Sequence, residues 1–294
     1  MRVFVTGASG FIGSAIVQEL IKAGHQVVGL ARSEESAQSL TKAGANVLRG
    51  SLEDPDCLKK GAAAADGVIH TAFIHDFSNY LAAAETDKRA IEAIGSVLTG
   101  SERPLVVTGG ILGIRTDGSL ITEDDPAPGF PRASEAAAMS LAEKGVRASV
   151  IRLPPSVHDA GDYGFVPFII NTARKKGVSA YVGNGHNRWP AVHRLDAAHL
   201  FRLALEKGAA GARYNAIGDE GIPVREIAEV IGKQLNLPVD SITPEDAAGH
   251  FDWMSRFIVF DSPATSLKTS QQLNWQPTHR GLIDDLNAGY YFQS

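Results

Sequence analysis

The sequence predicts an open α/β fold: a doubly wound parallel sheet covered by helices on both faces, with a smaller carboxy-terminal unit. Three observations carry that expectation. Short apolar runs alternate with helix-period segments through the first half of the chain, a pattern that requires a parallel sheet with both faces covered. The first run ends at once in a cluster of glycines that opens a helix. The composition is that of a globular chain, with 294 residues, 44% hydrophobic and 21% charged, long enough for one large or two modest cores.

Val3 to Thr6 reads as a buried strand stopped by Gly7, and Ile12, Ala15, Ile16, Leu20 and Ala23 then form one helical face that Gly24 ends. Gly7, Gly10 and Gly13 stand three apart in this turn. Gly7 permits a tight turn, Gly10 a close backbone approach to a pyrophosphate, and Gly13 close packing of helix on strand. "HQVVGLARS" is the second strand, "ANVLRG" the third and "DGVIHTAF" the fourth, with a Pro55-led helix between the last two. A long helix follows, its apolar line running through Leu81, Ala84, Ile91, Ile94 and Leu98. "RPLVVTGG" is the fifth strand, Ala133 to Glu143 a helix and "RASVIRLPPS" the sixth strand.

A strand, a glycine loop and a helix together make a cradle for a dinucleotide. Backbone N–H groups at the helix start face the phosphates, helped by the helix dipole. The end of the second strand selects the cofactor. An acidic residue there would bond the ribose hydroxyls of NAD; Arg32 and Ser33 stand there instead. A guanidinium and a hydroxyl suit a 2′-phosphate, so NADP(H) is expected in preference to NAD(H). Ligand crevices lie at the carboxyl ends of the strands. The expected cofactor contacts are therefore Gly7, Ser9, Gly10, Phe11, Ile12 and Gly13 in the loop, with Arg32 and Ser33 beside the ribose. Ser51, Leu52, Thr71, Ala72, Phe73, Thr108, Leu153, Pro154, Pro155 and Ser156 follow along the later strand ends.

Several function classes are excluded. A net charge of −5 carries no footprint for nucleic acid or an anionic membrane. The single cysteine, Cys57, rules out a disulfide framework, and the nine histidines lack metal-site spacing. No run approaches the length of a membrane span, and no signal peptide opens the chain. The expectation is a cytoplasmic protein with a small-molecule substrate and no metal; a homodimer is left open. The closing "YFQS" resembles a protease-cleavage remnant, so the last residues are kept out of the fold reading.

"TGASGFIG", "GVIHTAF", "LVVTGGILG", "VIRLPPSV" and "VHRLDAAHLF" follow in order along nearly the whole chain. In these motifs the sequence resembles the extended short-chain dehydrogenase/reductase superfamily, which includes nucleotide-sugar epimerases and dehydratases. The resemblance implies a Rossmann domain for NAD(P), residues 1–156 plus about 190–217, and a substrate-binding domain, about 157–189 plus 218–292. It departs from the family in catalysis. The family's Tyr and its Lys four residues later align with Pro131 and Glu135, and none of the six tyrosines is followed by Lys at that spacing. Thr108 sits at the family's Ser/Thr position, and Asp87 replaces an Asn.

A carbonyl reduction needs a proton donor within hydrogen-bond reach of the developing alkoxide. The candidates are His75, just past the fourth strand, and His158 and Tyr163 in "PPSVHDAGDYGF", with Thr108 to orient the oxygen. His70 reads as a structural strand residue, and Asp196 as one that caps or orients a helix. Phe73, Phe165 and Trp189, with Arg188, are expected at an aromatic substrate pocket. The expected function is an NADP(H)-dependent reductase of a small carbonyl or related unsaturated compound. A catalytically silent NADP(H) sensor is the alternative, and a nucleotide-sugar epimerase or dehydratase the weakest reading.

Overall fold

The computed structural model describes residues 1–75, 79–128 and 132–293. The first half builds β1 (Arg2–Thr6), α1 (Phe11–Lys22), β2 (Gln26–Ala31), α2 (Glu34–Lys42), β3 (Asn46–Arg49), α3 (Pro55–Ala63) and β4 (Gly67–His70). It continues through α4 (Tyr80–Ser96), β5 (Pro104–Gly110), α5 (Ser134–Glu143), β6 (Arg147–Leu153) and β7 (Ser156–His158). Then come α6 (Phe165–Lys176), β8 (Ser179–Val182), β9 (Arg188–His193), α7 (Arg194–Lys207), β10 (Arg213–Asn215), β11 (Asp219–Pro223), α8 (Val224–Leu235) and β12 (Val239–Ile242). Short helical turns fill the stretch from 247 to 292.

Seven strands form one parallel sheet in the order β10-β6-β5-β4-β1-β2-β3. This is a Rossmann-type sheet. The chain runs outward from β1 through β2 to β3, then crosses back to β4, so the winding reverses between β1 and β4. That reversal opens a crevice at the carboxyl ends of those two strands. Both faces of the sheet are apolar. Ile16, Leu20, Leu200 and Phe201 of α1 and α7 cover one face, and Leu58, Ile91, Ile94 and Ala138 of α3, α4 and α5 cover the other. Leu81 departs from the expected apolar line of α4 and is exposed. It lies in the first turn of that helix, where the chain is still leaving the sheet.

The carboxy-terminal half adds a separate apolar cluster. β9 lies between β7 and antiparallel β11, β8 pairs with β12, and α6 and α8 pack over them around Trp189, Ile227 and Phe251. α7 and β10 return to the first sheet. Asp196 orients the loop that crosses back. It is buried, accepts backbone N–H bonds from Thr278 and His279, and bonds the His279 ring at 2.8 Å. The final aromatic residues are part of this packing. The Tyr291 hydroxyl accepts from the Asp159 N–H at 3.2 Å and donates to Asp162 at 3.0 Å. Among the described residues, no helix is long and apolar enough to cross a membrane.

Candidate active site

The glycine loop after β1 is shaped by contacts that exclude side chains. Gly7 has φ +68°, and a Cβ there would stand 2.7 Å from the Ala72 backbone nitrogen, so the turn closes directly on the end of β4. A Cβ on Gly13 would lie 2.0 Å from the Gly7 carbonyl oxygen, which fixes how near α1 approaches the loop. Gly10 differs. A Cβ there would meet only the Gly7 carbonyl at 3.2 Å and the Tyr163 hydroxyl at 3.7 Å. Gly10 brings no side-chain cap to α1, so the helix start keeps N–H groups that a ligand can use. The cradle therefore fits a pyrophosphate. Phe11 N–H presently donates to the Tyr163 hydroxyl at 3.2 Å, and Ser9 and Ile12 flank it in the same turn.

At the next strand end, β2 and β3 run in register with Ala31 opposite Arg49. Arg32 and Ser33 are exposed there. Ser33 also caps α2, accepting the Ser36 N–H at 3.1 Å. Arg49 donates to the Ser33 carbonyl at 2.7 Å and pairs with Glu34. The structure thus puts a second guanidinium at the Ser33 carbonyl, one residue along the chain from Arg32. The sequence offered no signal for it, because cross-strand register is needed to bring positions 33 and 49 together. Ser51 and Leu52 follow β3, where Ser51 Oγ accepts the Glu53 N–H at 3.2 Å.

The far end of the crevice is built by β4, β5, α4 and the start of α5. Buried His70 bridges Thr6 Oγ1 at 2.9 Å and Asp87 at 3.0 Å. Asp87 in turn accepts from Ser134 Oγ at 2.5 Å. Burial works to raise the Asp87 carboxyl, but the bonds and charge of His70, with Arg132 and Ser134, hold it below the usual carboxylate range. His70 is a structural tie between β1, β4 and α4. The Thr108 hydroxyl donates to the His70 carbonyl at 2.9 Å, and Thr71 Oγ1 donates to the Thr6 carbonyl at 2.8 Å.

Phe73 is the centre of this end. The Arg132 guanidinium stacks over its ring at 4.5 Å, and the rings of His75 and Tyr80 pack on it at 5.3 and 5.7 Å. Arg132 is held in place, donating from Nε to Ser134 Oγ at 2.9 Å and from a terminal nitrogen to the Thr108 carbonyl at 3.1 Å. Desolvation, then the Arg132 charge, pulls His75 below its ordinary value. Burial raises Tyr80, against a lowering pull from Arg132 and a raising push from Asp87. Neither Arg132 nor Tyr80 belongs to the sequence motifs; only folding brings positions 73, 75, 80, 108 and 132 together.

The NAD dependent epimerase/dehydratase family matches residues 3–93. "Uncharacterized protein C2A9.02" of Schizosaccharomyces pombe is 56% identical across 99% of this chain and 100% of that protein. A ketoreductase of Stigmatella aurantiaca, acting on a 4-hydroxy-2-methyl-3-oxo-4-farnesyl-3,4-dihydroquinoline-1-oxide, is 29% identical across 73% of this chain and 67% of its own. The crystal structure of DesIV, a dTDP-glucose 4,6-dehydratase from Streptomyces venezuelae with NAD and TYD bound, superposes with TM-score 0.79. It is 19% identical and covers 99% of this chain and 96% of that one. The chain belongs to the extended short-chain dehydrogenase/reductase superfamily.

That family binds NAD(P), generally as oxidoreductases, epimerases and dehydratases. Here the position of the family lysine, Glu135, carries a structural ion pair. Its carboxylate binds buried Arg152 at 2.6 and 2.7 Å, Arg213 at 2.7 Å and the Ala127 N–H at 3.2 Å. Pro131, at the tyrosine position, lies outside the described residues. Two proton-donor candidates are corrected by the structure. His158 is fully buried against Asp285, 2.7 Å away, with no surface open to a substrate. Tyr163 is exposed, but its hydroxyl meets the glycine loop rather than Thr108.

The expected aromatic pocket is corrected as well. Trp189 is completely buried and packs with Phe165, Trp253 and Phe257 as core. Arg188 is bound to Asp261 and the Gly118 carbonyl. Beyond β6, Leu153 accepts the Ile111 N–H at 3.0 Å, Pro154 and Ser156 are buried, and Pro155 is half-buried.

Proposed function

We propose that the chain is an NADP(H)-dependent reductase of a small carbonyl or related unsaturated compound. The observation that carries this reading is the far end of the crevice, where a fixed guanidinium and a half-buried phenol pack on Phe73 and the guanidinium also bonds the Thr108 carbonyl. Those groups suit a developing alkoxide, whereas a protein that only sensed the cofactor would have no use for them. When bound, the cofactor supplies a hydride; the protein holds it, excludes water and orients the substrate oxygen. Gly7, Ser9, Gly10, Phe11, Ile12 and Gly13 would hold the pyrophosphate. Arg32, with Ser33 and neighbouring Arg49, would take the 2′-phosphate. Thr71, Ala72, Phe73, Thr108 and the Leu153–Ser156 stretch would line the nicotinamide half. The ketoreductase relative supports carbonyl reduction as the reaction type.

The test is NADPH oxidation against a panel of ketones, aldehydes and enones. Turnover of one of these classes, faster with NADPH than with NADH, is the expected result. Tight NADPH binding without turnover across the panel would overturn the reading in favour of a sensor.

A further inference from the structure

The family's phenol and cation come from one helix, four residues apart; this chain carries neither at those positions. It does carry a phenol and a cation at the same end of the crevice, one on α4 and the other on the segment that leads into α5. Tyr80 is the first residue of α4, and Arg132 stands two residues before α5. Both lean on one ring: Tyr80 packs on Phe73 at 5.7 Å and the Arg132 guanidinium stacks on it at 4.5 Å. We propose that Tyr80 donates the proton to the substrate oxygen and that Arg132 stabilises the negative charge beside it. The inference rests on the reductase reading above.

Three features of the surroundings support the assignment. The bonds from Arg132 to Ser134 Oγ and to the Thr108 carbonyl fix the guanidinium before any substrate arrives. A charge that is already placed costs no reorganisation during reaction. Among the described residues, Arg132 makes no salt bridge. The Asp87 carboxylate, which the Arg132 charge reaches, is occupied by His70 and Ser134, so the guanidinium keeps charge to lend to an oxyanion. Finally, the competing donor is unsuited. Desolvation and then the Arg132 charge lower His75, which disfavours its protonated form, while the Tyr80 phenol, raised by burial, keeps its proton throughout the neutral range.

The step balances. Hydride from the reduced nicotinamide forms a C–H bond at the carbonyl carbon, and the C=O π pair moves onto oxygen. That oxygen takes the Tyr80 hydroxyl proton, leaving a phenolate next to Arg132, and water returns the proton to Tyr80. One carbonyl is reduced and one NADPH oxidised, with one proton drawn from solvent. Among the described residues, the charged and titratable groups around the phenol are Arg132, Asp87 and His75; Arg132 and His75 enter the test.

Tyr80→Phe should lower kcat about 10²–10⁴-fold with KM and NADPH affinity changed little. The wild-type kcat should stay flat between about pH 6.5 and 9, since no imidazole supplies the proton. Full activity in Tyr80→Phe, or a limb at or below pH 6.5 that His75→Ala abolishes, would overturn the assignment. A second readout needs no turnover. In unliganded protein labelled with 3-fluorotyrosine, the residue-80 fluorine signal is assigned by its loss in Tyr80→Phe. Arg132→Gln should raise its titration midpoint by about one unit, as removal of a neighbouring positive charge requires. An unchanged midpoint would overturn the pairing. If the wild type reduces no carbonyl but the midpoint moves, the reductase reading fails and the Tyr80–Arg132 coupling stands.

Discussion

At the glycine-loop end of the crevice, three positions between Gly7 and Gly13 set the shape, and they do so by having no side chain. At the Thr108 end the shape comes from side chains of β1, β4, α4, β5 and the approach to α5, tied by Thr6–His70–Asp87–Ser134 and by Arg132 on Phe73. The first end tolerates almost no substitution at its fixed points, because backbone meets backbone there. The second is built from side chains of several elements, so its residues can change without a clash of backbone on backbone.

The largest effect that separates the two ends lies within the glycine loop itself. Gly13→Ala places a Cβ 2.0 Å from the Gly7 carbonyl oxygen, and a clash with backbone cannot be relieved by a rotamer. It should abolish folding or cost about 4 kcal/mol or more, read by chemical denaturation. Gly10→Ala, whose Cβ would meet nothing closer than 3.2 Å, should stay folded yet lose binding of NADPH and NADH alike. Equal stability losses in the two variants would erase the distinction between a packing glycine and a ligand-facing one.

Next in size is the ion pair at the family lysine position. The sequence alone gives Glu135 no part in catalysis, so Glu135→Gln is expected to leave most activity intact. The structure adds a cost in stability. Arg152 is fully buried, and Glu135 is its carboxylate partner at 2.6 Å. Removing one partner of a buried pair costs about 3–5 kcal/mol. Burial pushes the Glu135 carboxyl up, but the bonds from Arg152 and Arg213 and the Arg152 charge hold it below its ordinary value. The stabilisation is therefore present above the unfolded-state pKa and lost as pH falls through the folded one. Denaturant midpoints measured across acid pH should show wild type and Glu135→Gln converging; parallel curves would refute it.

A smaller effect concerns cofactor choice. Arg32→Ala should weaken NADPH binding by about 1–3 kcal/mol, the scale of a charge-assisted bond, and leave NADH nearly unchanged. Arg49→Ala should add to the loss, and equal weakening of both cofactors would remove the 2′-phosphate assignment. The smallest effect is on pH and belongs to the strap that carries Tyr163. Burial pushes Asp162 up to about 6, against bonds from the Gly164 N–H and the Tyr291 hydroxyl. Its folded pKa exceeds the unfolded value, so stability should fall as pH rises from about 4 to 6 and level off above. Asp162→Asn should remove that slope, and a slope that survives the substitution would assign it to another group.

Some of this was legible from the chain alone. The strand–glycine–helix unit announced itself because its residues are neighbours in sequence and each glycine answers a local steric demand. The six strands of the first half followed from their apolar runs, though the edge strand β10 did not, being only three residues from Arg213 to Asn215. Proton donors were where reading along the chain went astray. His158 and Tyr163 sit close in sequence to strand β7, yet one faces a buried Asp285 and the other the glycine loop.

By itself, then, the sequence determined the parallel sheet and the strand–glycine–helix turn, since each is written in periodicity or local spacing. Only the tertiary structure decided which side chains meet at Phe73. Tyr80 and Arg132 are 52 positions apart in the chain and share one aromatic ring only because β4 and β5 lie side by side. It also decided that Trp189 is core, that Glu135 holds Arg152, and that Arg49 bonds the Ser33 carbonyl. These are contacts between distant segments, fixed by strand register and packing, and no local pattern in the chain encodes them.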